Sequence, residues 1–135
     1  MKKYGAGSSE TDIQRRILDL LNRSWCVKHV WRNNVGAFKK SGRLIRFGIS
    51  GMSDVLGITS IGSFFAIEIK KPGTRTKPER AAKQKAFLDI VNDTSLGRGI
   101  LVQSIDDVQL FIKYELEPVV KGKRLLTNEQ AVPKV

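Results

Sequence analysis

The chain has 135 residues, 41% hydrophobic and 27% charged, a balance that allows one buried core and excludes a disordered polymer. Its 24 lysines and arginines against 13 acids leave a formal charge of +11, which favours a polyanionic partner, either nucleic acid or an anionic membrane surface. No apolar run approaches the roughly 18 residues of a spanning helix, and Met1-Lys2-Lys3 opens no apolar signal segment, so no membrane partner is expected.

In chain order, Ser9 can cap a helix with Asp12 three residues on, and Ile13, Ile17, Leu20 and Leu21 recur at helical spacing, which predicts a helix from about Glu10 to Arg23. Trp25 to Trp31 is aromatic and β-branched and reads as a strand that Asn33-Asn34-Val35-Gly36 ends. A turn at Lys40-Ser41-Gly42 precedes a short strand, Arg43 to Arg46. Val55–Thr59 and Ser63–Lys70 read as two strands joined around Ile61-Gly62. Thr76-Lys77-Pro78-Glu79 has the form of a capping box with proline in the first turn, opening a helix to about Val91. Strand Ile100–Gln103 and a helix from Ser104 bearing Val108, Phe111 and Ile112 complete the pattern. The expectation is an α/β fold, a mixed β-sheet flanked by helices, in one domain over 1–117, with 118–135 a basic and partly disordered tail. The lone Cys26 excludes an intrachain disulfide framework and any multi-cysteine zinc site, and fits a reducing, cytoplasmic setting.

The charge is unevenly laid out. No acid stands between Asp19 and Asp54, a gap holding Arg23, Lys28, Arg32, Lys39, Lys40, Arg43 and Arg46. A second stretch carries Lys70, Lys71, Arg75, Lys77, Arg80, Lys83 and Lys85 against Glu79 alone. Such tracts are either a solvated basic surface or a phosphate-binding track. Asp54 and Glu68 lie isolated inside them. A hairpin centred on Ile61 would set these two acids opposite each other, with Cβ atoms roughly 4.5–5.5 Å apart. Like charges so placed on an apolar sheet repel, unless a divalent cation sits between them, and hard oxygen ligands suit Mg²⁺ or Mn²⁺. The alternation of a strand puts Lys70 on the face of Glu68. The competing reading makes Asp54 a loop residue and Glu68/Lys70 an ion pair at a strand end.

Gln84 shares a helix face with Ala81, Leu88 and Val91 and so is either structural or aimed at the site. Glu10 extends the Ile13/Ile17 stripe back by one turn, though an acid is also favoured there by the helix dipole.

These residues resemble a known family. Gly51-Met52-Ser53-Asp54, with Glu68-Ile69-Lys70 beyond it, looks like the aspartate plus Glu-x-Lys core of the PD-(D/E)XK nucleases. Ile13-Gln14 with Ile17-Leu18, Arg32-Asn33 before Gly36, Gln84, Gly99 and Ser104–Val108 narrow the resemblance to the VRR-NUC (virus-type replication-repair nuclease) branch, over about Glu10 to Ile112. Ser53 departs from the family's usual proline, which alters loop stiffness and removes no metal ligand. The resemblance implies an α-β-β-β-α-β core and metal-dependent cleavage of DNA. In it Asp54, Glu68 and the Ile69 carbonyl hold the metal, with Glu10 a further ligand. Lys70 acts at the water or phosphate, Gln84 orients Lys70, and the protein is a homodimer resembling Holliday-junction resolvases in size.

Added charge on the phosphoryl oxygens of the transition state calls for a cation, and Lys70 supplies a second positive charge beside it. Arg32, Lys39, Lys40, Arg43, Lys71, Arg75 and Lys77 would bind the DNA backbone without reading bases. His29 is expected as a strand residue and Cys26 as core, so nucleophilic Ser/His/Asp or cysteine catalysis is not supported. Two rivals stand beside a structure-selective endonuclease: a non-catalytic basic nucleic-acid-binding module, and a sequence-specific restriction-type enzyme.

Overall fold

A computed structural model describes residues 10–33, 36–47 and 51–122. In order these form α1 (Glu10–Asn22), β1 (Val27–Arg32), β2 (Gly36–Lys40), β3 (Arg43–Phe47), β4 (Val55–Thr59), β5 (Phe64–Ile69), α2 (Pro78–Asn92), β6 (Arg98–Val102) and α3 (Ile105–Phe111). A π-helical segment, Ile112–Leu116, prolongs α3. The expected mixed sheet is present, with strand order β1-β4-β5-β6. The first three strands pair antiparallel, and β5 pairs parallel with β6 across α2.

Alternation along β5 divides the core. Phe65, Ile67 and Ile69 face α1 and α3, packed with Ile17, Leu21, Val55, Val102, Val108 and Phe111. Phe64 and Ala66 face α2, with Leu56, Leu88 and Val91. Gly57 stands opposite Phe65, whose ring lies over it: a Cβ at Gly57 would come within 2.2 Å of that ring. The hairpin register expected from the Ile61 centre is the observed one, pairing Val55 with Ile67 and Leu56 with Ala66.

Four expectations change. β2 pairs with β3 in a separate two-stranded sheet, where the sequence suggested only a connection. Gly36–Lys40 has no apolar run to announce it. The first strand starts at Val27, leaving Trp25 and buried Cys26 in the turn before it. The capping box at Thr76 does not form: Lys77 is the N-cap without a side-chain bond, Pro78 fills the first turn, and the Thr76 hydroxyl accepts from Lys70 instead.

Finally, the helix does not end at Glu117. It runs to Gly122, with Val119 and Val120 buried, so the folded unit passes the expected boundary. Pro118 lacks an N–H and would ordinarily break a helix. Here the wide turn ends at Glu117, whose amide bonds Ile112 five residues back, immediately before that missing donor. The expected cap Ser9 and the chain after Gly122 lie outside the described residues. Among the described residues no helix is long and apolar enough to cross a membrane.

Candidate active site

Asp54 immediately precedes β4, and Glu68 is the penultimate residue of β5. By alternation Glu68 shares the α2 face of Ala66, and Asp54 that of Leu56. The register that joins Val55 to Ile67 brings Asp54 against Glu68 when carried one residue further. An uninterrupted ladder would next bond the Ile69 amide to the Ser53 carbonyl. That amide instead donates to Asp54 Oδ2, at 2.8 Å. The aspartate carboxylate therefore replaces a main-chain acceptor and is fixed to the strand bearing Glu68.

The loop before it is seated on α2. Gly51 adopts φ 89, and a Cβ there would lie 3.1 Å from Lys83 Cβ, so a larger residue would both strain the backbone and crowd the helix. On the other side the Asn33 amide donates to the Asp54 carbonyl at 2.8 Å, continuing the pairing of β1 with β4. Asn33, Asp54 and Glu68 thus form a row across three neighbouring strands.

Glu68 is only 2% exposed, and its Oε2 has no hydrogen-bond partner. Burial pushes its pKa up to about 8, aided by the charge of Asp54 and a hydrogen bond to it; Lys70 and Arg80 oppose the rise. Gln84, 5% exposed, projects from α2 one turn before Leu88 and leaves Oε1 unpaired; Ser53 Oγ and Asn33 Nδ2 are likewise buried without partners. Buried polar atoms are normally satisfied. Here all the unsatisfied side-chain atoms found among the described residues belong to Asp54's neighbours in sequence or pairing, or to the helix above them. Orphaned oxygens beside paired carboxylates suit a hard divalent cation with its waters.

Lys70 leaves β5 with its amide bonded to the Val102 carbonyl at 2.8 Å, and its Nζ bonds the Thr76 hydroxyl. Ile69, expected as a carbonyl ligand, meets Asp54 through its amide. Glu10 opens α1, but its side chain lies outside what is described. Among the described residues no group of three His, Cys, Asp or Glu side chains gathers that could hold a metal, so the pair stands without a third such ligand. Ala81, expected on the buried face with Gln84, is exposed.

The basic residues divide into two sets. Arg32 is exposed at the end of β1, and Lys39, Lys40 and Arg43 are exposed on the β2–β3 hairpin. Arg75 and Lys77 are exposed on the approach to α2, and Lys71 is half-buried beside Lys70. Four residues that stood in the sequence only as motif, capping or charge-track residues, with no role at the site, lie near it: Arg80, Thr76, Asn33 and Ser53. Arg80 precedes Gln84 by one helical turn, a spacing that could have drawn attention to it. His29 is a strand residue and Cys26 is core, with burial raising the thiol pKa.

A solved structure described as a VRR_NUC domain is similar to this chain, with 19% identity, 78% of this chain and 95% of that chain covered, and a TM-score of 0.48. No family model and no curated protein matches.

Proposed function

We propose that this chain is a metal-dependent, structure-selective endonuclease that hydrolyses phosphodiester bonds of branched DNA, such as Holliday junctions or flaps, as a homodimer. The observation that carries the reading is the Asp54–Glu68 pair: two converging carboxylates, one buried with an unpaired oxygen. Without a cation the two acids sit together only because Glu68 keeps a proton, a cost that a bound cation would remove. A non-catalytic binding module would need no such arrangement beneath its basic surface.

Asp54, Glu68 and the Ile69 carbonyl would hold Mg²⁺ or Mn²⁺, with Glu10 a further ligand. When bound, such an ion stabilises charge on the phosphoryl oxygens and lowers the pKa of a coordinated water. Asp54 serves as a fixed ligand because the Ile69 amide holds one of its oxygens, leaving the other to the ion. Lys70 presents its ammonium to the attacking water or the scissile phosphate, and Thr76 restricts where it can reach. Gln84 offers a buried, unpaired carbonyl oxygen that would orient Lys70 if its ammonium turns from Thr76 toward the site. Arg80 supplies further positive charge near Glu68. Arg32, Lys39, Lys40, Arg43, Lys71, Arg75 and Lys77 bind backbone phosphates, which favours shape over sequence.

The test is cleavage of labelled four-way junction, flap and duplex DNA with Mg²⁺, Mn²⁺ or EDTA. Metal-dependent cutting of branched substrates, lost in Asp54→Ala, supports the reading. Binding without cutting favours the basic module, and one reproducible cut sequence in a mapped digest favours the restriction-type enzyme.

A further inference from the structure

β1 is an outer strand of the four-stranded sheet, and of its residues only Val30 is fully buried. Lys28, His29, Trp31 and Arg32 are exposed. Trp31 faces Leu56 in the ladder, so it lies on the face that carries Asp54. Asp54 is its diagonal neighbour, a relationship that puts side-chain origins about 7–8 Å apart and within reach of a large aromatic group. Trp31 is 38% exposed, and its ring stacks on His29 with centroids 5.6 Å apart and planes inclined by 27°. The other tryptophan, Trp25, is engaged elsewhere, with Lys121 Nζ 5.8 Å from its ring centre.

An aromatic ring held by a neighbour, on the same sheet face as the paired carboxylates, has a specific chemical fit. Nucleobases stack on such rings whatever their identity, while lysine and arginine take the adjoining phosphates. Bases inside a duplex are already stacked on each other, so the ring gains a partner only where a base is unpaired. We propose that Trp31, supported by His29, is a stacking platform for an unpaired base next to the phosphodiester engaged at Asp54 and Glu68. The inference rests on the nuclease reading for its position in the reaction, and its test uses binding alone.

The experiment uses a Trp25→Phe variant, which leaves Trp31 as the sole tryptophan, titrated in EDTA with oligo(dT) and with a blunt duplex. Oligo(dT) should quench Trp31 emission and the duplex should not. Trp31→Ala should weaken oligo(dT) binding by about 5- to 100-fold, leaving duplex binding, a matter of phosphate contacts, nearly unchanged. Trp31→Phe should keep most of the affinity. Absent quenching, or equal weakening on both ligands, overturns the proposal. Should Trp31→Ala fail to fold, the quenching and Trp31→Phe results still decide it. Cleavage without quenching removes the platform and leaves the nuclease; quenching without cleavage does the reverse.

Discussion

Asp54 Oδ2 accepts the Ile69 amide at 2.8 Å, so the first carboxylate of the pair is bonded to the residue that follows the second. One hydrogen bond thereby fixes the spacing of both. Asp54→Ala should cost about 1–3 kcal/mol by leaving a partly buried amide without an acceptor. It should also return Glu68 toward an ordinary carboxylate pKa by removing the neighbouring charge. Denaturant unfolding of Asp54→Ala and Asp54→Asn checks the first, with Asn expected to keep most of the stability. Both variants should be inactive.

Glu68 sets a pH signature. Its folded-state pKa, about 8, lies above the 4.5 of the free side chain, so between those values the folded protein binds the extra proton. Metal-free protein should therefore lose stability as pH rises from about 5 to 8 and then level off. Glu68→Gln should flatten that slope and be the more stable protein at pH 8. Mg²⁺ or Mn²⁺ should raise the wild-type melting temperature more at pH 8 than at pH 5, because a proton no longer competes. Thermal melts across pH, with and without metal, measure all three.

Lys70 and Thr76 test positioning. Lys70→Ala should abolish cleavage while junction binding is retained; equal loss of binding would reduce Lys70 to one more cation of the track. Thr76→Ala frees the lysine without removing its charge, so it should lower the cleavage rate by roughly 3- to 10-fold, about the worth of one hydrogen bond, with binding unchanged. Single-turnover cleavage beside an anisotropy titration separates these outcomes.

Two packing predictions concern the frame. Gly57→Ala should destabilise by about 1–3 kcal/mol, because a Cβ has no space beneath the Phe65 ring. Val120→Ala should cost about 2 kcal/mol through the cavity it leaves, although it lies beyond the boundary the sequence suggested. Chemical denaturation reads both.

That last residue indicates what sequence could and could not reveal. The β4–β5 hairpin was legible because two apolar runs flank a short turn, and one register buries both; from it the meeting of Asp54 and Glu68 followed. β2 was not, since its Gly-Ala-Phe-Lys-Lys sequence lacks strand alternation and it pairs only with β3. The chain from Pro118 read as a tail because the π turn that carries the helix past this proline is not announced by the local residues. Thr76 read as a helix cap because local pattern does not reveal a competing lysine from the preceding strand. Asn33 and Ser53 stood in the sequence motifs, but their unpaired buried polar atoms emerge only from the ladder and the packing.

The most direct measurement is calorimetric titration of metal-free protein with Mn²⁺ at pH 7, in buffers of differing ionisation enthalpy. Wild type should bind with net proton release, as Glu68 gives up its proton to the ion, and both Asp54→Asn and Glu68→Gln should lose that binding. Manganese bound equally well by either variant, or with no proton released, would contradict a cation shared by these two carboxylates.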